Sequence, residues 1–509
     1  MNSSTFNKKD IAQIAETGHR LDQIESHLQQ FKQGAPFARL DRPCTVGDGI
    51  RALSADERQA CRKANETRGA QKKRIKFVPA SGAATRMFKK LIAALNTRQS
   101  SSDTAFFFNH IQKFAFYEDL KTSLFQESLA LETLLAHADQ EPILRHLLTR
   151  NHLNYAGLPK GLIKFHAYGR ESRTAFEEHL VEAAGYAGCR DNTCALHFTV
   201  PPAHKERFIS FFNEIRAGYE TRYKTSFSVD FSIQSAGTDT LALDMENQPF
   251  RLADGRLLFR PGGHGALIHN LNDLDADIVL IKNIDNVVHE NYIADIIEWE
   301  KILCGYFISL QDQIFNFLSQ LHHQPVTGPL IDQIAGFLTD EMDIALPENF
   351  QSADMKDQQK HLIRLLDRPL RVCGMVENTG APGGGPFWTH IPGHGLSRQI
   401  VETAQINMDE AGQKSILNRL THFNPVDLVC GVKNWKGKPF DLRKFVDHGA
   451  VFISSKSENG RDLKALELPG LWNGAMAFWN TVFVEVPAIT FNPVKEVTDL
   501  LGPRHQPAS

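Results

Sequence analysis

The sequence predicts a mixed α/β fold, a mostly parallel sheet flanked by helices and carrying helical insertions. Three observations support this. Short apolar runs bounded by turn residues alternate with helical patterns, an order that needs crossovers and hence parallel strands. Two stretches, about 89–150 and 293–369, keep the helical period and read as insertions. A chain of 509 residues, 42% hydrophobic and 23% charged, can bury a large core.

Along the chain, residues 1–70 read as an N-terminal helical segment. Ile11, Ile14, Leu21, Ile24, Leu28 and Phe31 recur at helical spacing over about 8–33, and Gly34-Ala-Pro36 stops them. From Pro43 to Ala70 the chain is polar, a loop followed by a helix. The core spans 71–292 and opens with a strand from Arg74 to Pro79. Helical patterning then runs from Met87 to about Arg150, and its Phe106, Ile111 and Phe114 read as core filling. Strands follow at Leu162–His166, Cys194–Val200, Phe227–Gln234 and Ile278–Ile284, with helices from Thr174 and around Phe208 between them. After the second insertion, 370–509 completes the core, with strands near Leu370–Glu377, Ala450–Ser454 and Val482–Val486.

Composition excludes several classes. A formal net charge of −3 with no Lys/Arg block argues against a nucleic-acid partner. Apolar runs such as Ile278–Ile281 are far too short to span a bilayer, and the N-terminus has no apolar signal region. Seven scattered cysteines without a short CxxC pair fit reduced thiols, so a cytoplasmic location is expected. His166 and His197 sit inside strands and read as satisfied core residues.

Four segments at strand ends, where open α/β sheets place ligands, could carry chemistry. The first is Ser81-Gly-Ala-Ala-Thr-Arg86, small residues between a strand and a helix, where free N–H groups and a guanidinium fork suit phosphate. The second offers Lys160 in the Pro/Gly-bounded turn Gly157–Gly161. The third, Arg260-Pro-Gly-Gly-His-Gly265, has glycines that would let a flat ring or phosphate approach the backbone. The fourth, Ile281-Lys-Asn-Ile-Asp-Asn286, ends in an acid suited to Mg²⁺ shared with phosphate oxygens. Each also has a plain structural reading. Arg86, Lys160 and Lys495 could be solvated surface cations, Asp285 a helix cap, and Gly262–Gly265 a turn. The run Gly383-Gly-Gly385 could be a mobile lid or another phosphate cradle.

Together these pieces resemble the nucleotidyltransferase superfamily that makes nucleotide sugars, most of all the UDP-sugar pyrophosphorylases of the UDP-N-acetylhexosamine type. The matching pieces run in the family's order: Ser81–Arg86, Pro159-Lys-Gly161, Phe231-Ser-Ile-Gln234, Pro261-Gly-Gly-His-Gly-Ala266, Ile284-Asp-Asn286 and Phe491-Asn-Pro-Val-Lys495. Ser81 and Ala84 replace two loop glycines, which would strain the loop by about 1 kcal/mol wherever the backbone needed a positive φ. His264 stands where the family has Asn. The whole length is also similar to a bacterial family known only as a domain of unknown function, through phrases such as Glu377–Trp388 and Glu467–Gly474.

The resemblance implies a Rossmann-like, GT-A-type nucleotide-sugar fold and a Mg²⁺-dependent reaction. A nucleoside triphosphate, with UTP expected, would join a sugar 1-phosphate and release pyrophosphate. It assigns catalytic roles to Arg86, Lys160 and Lys495 and metal binding to Asp285. It assigns nucleotide binding to Ser81, Gly82, Ala83, Ala84, Thr85, Gln234, Gly262, Gly263 and His264, and sugar binding to Glu377, Asn473 and Asn480. Two alternatives stay open: a glycosyltransferase of related fold, which would want an Asp-x-Asp where the chain has Ile284-Asp-Asn286, and a non-catalytic nucleotide-sugar-binding protein.

Overall fold

The computed structural model describes residues 5–189, 191–380 and 384–507. Gly383, and with it the start of the triple-glycine run, lies outside them. The chain forms two compact units. The first takes the residues up to Lys72, then Gln234–Val279 and Leu303–Pro487; the second takes Lys73–Ile233, Leu280–Ile302 and the residues from Ala488 onward.

The expected mixed α/β class, with parallel strand pairs, holds in each. In the second unit Arg74–Pro79, Thr193–Thr199 and Ser226–Ser232 pair parallel, with Lys76 opposite Leu196 and Thr193 opposite Ser226. The helices Ala175–Tyr186 and Lys205–Tyr223 supply the crossovers. A Thr174/Glu177 capping box starts the first of these, and ten of its twelve residues are buried. The second closes on its Phe208 and Phe212, packed around Phe176. Ile278–Lys282 neighbours Arg74–Pro79, and the chain passes from the first unit to the second within it.

In the first unit Leu370–Glu377 pairs parallel with Asn480–Glu485, which pairs parallel with the short strand Gly49–Arg51. Asp427–Gly431 joins antiparallel. The N-terminal helices bury Ile14, Ile24, Leu28 and Phe31 against Leu241, Leu243, Val451 and Leu466.

Several elements differ from expectation. The N-terminal helix is two, Lys8–Glu16 and Leu21–Gln33, because Gly18 takes φ +78° between them. The strand expected at Leu162–His166 is Lys164–Tyr168, half of an antiparallel hairpin with Glu171–Thr174 that pairs with no other strand. That expected near Ala450–Ser454 is Phe452–Glu458, likewise a hairpin with Arg461–Glu467. A three-stranded sheet of Arg39–Pro43, Gly385–Ile391 and Gly395–Val401 had no expectation at all. The insertion after residue 87 is five helices between Lys89 and Leu148, and the expected Ile111 and Phe114 fill its core together with Phe107 and Phe116. Phe106, expected there with Ile111 and Phe114, is 46% exposed. No disulfide joins any of the seven cysteines, and no helix among the described residues is long and apolar enough to cross a membrane.

Candidate functional site

Within the second unit, four segments remote in sequence converge. The strand Arg74–Pro79 delivers the loop 81–86 at its carboxyl end. That loop is zipped to the Lys160 turn: Lys160 N–H donates to the Gly82 carbonyl (3.2 Å) and Ala84 N–H to the Leu158 carbonyl (3.0 Å). Gly161 packs closely there: a Cβ would lie 3.0 Å from the Phe208 ring, which would have to shift. Lys160 Nζ donates to Asp285 Oδ2 (2.7 Å) and to the Val494 carbonyl (2.7 Å), and its side chain is only 11% exposed. Val494 N–H in turn donates to the Asp285 carbonyl (3.0 Å), and Val497 N–H to the Met87 carbonyl (3.1 Å). The segment 491–499 therefore ties the Asp285 turn to the turn that follows the loop.

Lys495 belongs to the same group. Burial holds its ammonium below the usual lysine range and the Lys160 charge adds to that, while Asp285 and Asp499 pull the other way. Its own N–H donates to Asp499 Oδ2 (2.7 Å). Arg86 is exposed, and its guanidinium meets no partner among the described residues. It lies in the turn before the helix rather than one turn inside it, because the helix begins only at Lys89.

The loop backbone is unstrained. None of Ser81, Gly82 and Ala84 has a positive φ, and a Cβ on Gly82 would meet nothing within 4 Å. The replacement of two glycines is thereby explained: this path needs no left-handed residue. The N–H groups of Ser81, Gly82, Ala83, Thr85 and Arg86 donate to no partner among the described residues, while Ala84 N–H is taken by Leu158. A run of free donors beside two lysines and an arginine has the chemistry to hold an anion.

Asp285 was expected to hold a metal. One oxygen is engaged by Lys160, and the other takes no hydrogen bond among the described residues. The neighbouring Asn286 amide is spent inside the fold, donating to the Thr490 carbonyl (3.1 Å) and accepting from Asn492 N–H (2.8 Å). One carboxylate fits Mg²⁺ where phosphate oxygens and water complete the coordination.

The remaining expected residues lie in the first unit, and only two of them meet. His264 Nε2 lies 3.2 Å from Glu402 Oε1, which also accepts from Asn473 Nδ2 (2.7 Å). His264 Nδ1 accepts from Leu471 N–H (3.0 Å), which puts the ring proton on Nε2 facing Glu402, and the ring stacks on Trp472 at 4.2 Å. The His264 hydrogen bond holds the Glu402 carboxyl below its usual range. Asn473 Oδ1 is buried without a partner.

The glycines around His264 are packed against the chain itself. A Cβ on Gly262 would lie 2.7 Å from Leu468 and on Gly265 2.1 Å from the Pro469 carbonyl; Gly263 holds φ +78°. The close approach that the sequence implied is made by the chain's own 468–470 segment. Gln234 is half-buried and its Nε2 has no partner. Glu377 is exposed at the carboxyl end of its strand. Asn480 is buried at the amino end of the neighbouring strand, donating to the Leu366 carbonyl (3.3 Å), so it does not join Asn473.

Sequence reasoning missed Glu402, Trp472 and the Val494 carbonyl. Glu402 follows a strand that had not been foreseen, and a main-chain acceptor leaves no side-chain signature. Trp472 stood in a quoted phrase without a role.

A family model described as Domain of unknown function (DUF4301) matches residues 7–506. No curated protein matches the sequence. Among solved structures, the chain is similar to UDP-glucose phosphorylase from Trypanosoma brucei, at 12% identity and a TM-score of 0.45 over 97% of this chain and 78% of that one. It is similar to UDP-glucose pyrophosphorylase from Leishmania major in complex with UDP-glucose, at 11% identity and 0.46 over 99% and 79%. An Entamoeba histolytica protein assigned as a UDP-N-acetylglucosamine pyrophosphorylase matches at 9% identity and 0.43 over 89% and 82%.

Proposed function

The chain belongs to the family Domain of unknown function (DUF4301), and from that premise we propose that it is a nucleotidyltransferase. It joins a nucleoside triphosphate, UTP first among the candidates, to a sugar 1-phosphate and releases pyrophosphate, with Mg²⁺ as cofactor. The observation that carries this reading is the convergence of the 81–86 loop, Lys160, Asp285 and the 491–499 segment around a run of free N–H donors. The order of motifs in the sequence supports it independently.

In this reaction an oxygen of the sugar phosphate attacks the α-phosphorus. A P–O bond forms as the bond to pyrophosphate breaks, and negative charge moves to the leaving group. Such transfer needs in-line placement and neutralisation of charge, and no covalent help from the protein. The loop N–H groups orient phosphate oxygens. Arg86, free in solvent, closes on them as a planar fork. Lys160, held at two points, is a fixed positive charge, and Lys495, partly desolvated, acts in a lower dielectric where its attraction to phosphate is stronger. Mg²⁺ bound at Asp285 supplies further neutralisation of phosphate charge. The spent Asn286 amide removes a second ligand beside Asp285 and weighs against the glycosyltransferase alternative.

The test is pyrophosphate release from UTP, with other triphosphates in parallel, and a panel of hexose 1-phosphates in Mg²⁺. Release is expected from the wild type and loss of at least a hundredfold in kcat from Asp285→Asn. A silent panel, with UDP-sugar binding by calorimetry intact, would leave a binding protein in place of an enzyme.

A further inference from the structure

At the opposite end of the first unit's sheet lies a second cationic cavity. Leu370 and Asn480 pair at the amino ends of the two parallel strands Leu370–Glu377 and Asn480–Glu485. A cavity of about 450 Å³ opens beside them. Its lining includes Arg364, Arg368, Arg398, His361, His394 and Trp479. The one acid in that lining, Asp343, is already paired with Arg398 at 2.7 Å, and Arg398 also donates to the Thr481 carbonyl (2.7 Å). Arg364 and Arg368 have no such partner: among the described residues neither meets a carboxylate.

Arg364 lies in the last turn of the helix Met355–Leu366, and Arg368 stands two residues beyond its end. Arg368 donates to the Arg364 carbonyl, and Arg364 donates to His361 Nδ1 (3.0 Å), which fixes the pair side by side. A helix's last turn tolerates cations, but the C-cap carboxylate, Asp367, is influenced by His322 and Lys436 rather than by these arginines, and the two guanidinium charges oppose each other. Trp479, 4% exposed, adds a buried indole N–H with no hydrogen-bond partner. A buried donor without an acceptor calls for an explanation, and so do two neighbouring guanidiniums without an anion. His394, stacked on Phe478 at 4.3 Å, gives the same cavity an aromatic wall.

We propose that this cavity binds a small phosphate-bearing anion carrying two or more negative charges, held by Arg364 and Arg368 and separate from the Lys160–Asp285 site. Its size suits a metabolite. Fork-shaped donors in a pair suit phosphate oxygens better than lone ammoniums would.

Isothermal titration in 150 mM salt without Mg²⁺ tests this, with fructose 1,6-bisphosphate and inorganic pyrophosphate as probes. The wild type and Lys160→Ala should each bind at least one probe saturably, one to one at this cavity. The double variant Arg364→Ala/Arg368→Ala should bind it at least twentyfold more weakly, with unchanged circular dichroism. Tryptophan fluorescence should respond to the probe in the wild type and lose that response in Trp479→Phe. The proposal is overturned if neither probe saturates the wild type, or if the double variant binds as the wild type does. The two sites are told apart by their variants: loss of binding here leaves pyrophosphate release standing, and a silent transferase assay leaves this binding standing.

Discussion

Gly82 and Gly265 are the same residue under opposite constraints. A Cβ on Gly82 meets nothing and its backbone is ordinary, whereas one on Gly265 would lie 2.1 Å from the Pro469 carbonyl. Gly82→Ala should therefore leave stability unchanged or raise it by up to ~1 kcal/mol, while Gly265→Ala should cost about 3 kcal/mol or more, both read by urea denaturation. If Gly82→Ala also slows the reaction at unchanged stability, the loop is a ligand surface. This contrast marks what a sequence can say of glycine. That Gly262, Gly263 and Gly265 permit a close approach was legible; that the approaching group is the 468–470 segment was not, because both partners are 200 residues apart. Lys160, Asp285 and Lys495 were legible as a set through motif order, and the structure brings those three together. Asn480 was not: an amide in a strand looks alike at either end of a sheet.

At the scale of elements, a buried charge cluster joins a helix to two strands of the second unit. Glu182, on the helix Ala175–Tyr186, accepts from Lys76 Nζ (3.0 Å) on Arg74–Pro79 and from Lys282 Nζ (2.9 Å) on Ile278–Lys282. Tyr186 donates to the same oxygen (2.7 Å). All three charged side chains are at most 2% exposed. Burial alone would raise the Glu182 pKa, but Lys282 and Lys76 outweigh it and hold the carboxyl far below its usual range. A carboxyl depressed in this way stabilises the fold above its unfolded pKa and loses that contribution as pH falls. Glu182→Gln should destabilise the protein by about 3 kcal/mol near pH 7, since it leaves two buried ammoniums with only Glu300, 3.9 Å from Lys282, as counter-charge. The difference between variant and wild type should shrink as denaturation is measured toward pH 3. Strands with neighbours on both sides, such as Leu370–Glu377, were visible as apolar runs. The hairpins Lys164–Tyr168/Glu171–Thr174 and Phe452–Glu458/Arg461–Glu467 were half-seen, because only tertiary pairing distinguishes them from sheet strands.

For the whole molecule, each unit is assembled from three separate stretches of sequence. Residues from Ala488 onward give the second unit Val494, Lys495 and His505, and His505 Nδ1 lies 2.8 Å from buried His166 Nε2. A chain ending at Pro487 should lose pyrophosphate release entirely. Limited proteolysis should then cut within 73–233 while the segments of the first unit resist. Equal resistance of both units in the shortened chain would show that the closing segment is dispensable. The reading of size and composition anticipated a large α/β protein, but not this interleaving, which depends on which distant segments share a core.

Interleaving also sets an order of events during synthesis. A nascent chain can display the loop at 81–86 and the Lys160 turn long before residue 491 has been translated. Until then Lys160 lacks the carbonyl that steadies it, and the cationic cradle stays unlatched. A chain that stops short of residue 491 would thus leave the Lys160 turn without its anchor, however much of its length had folded.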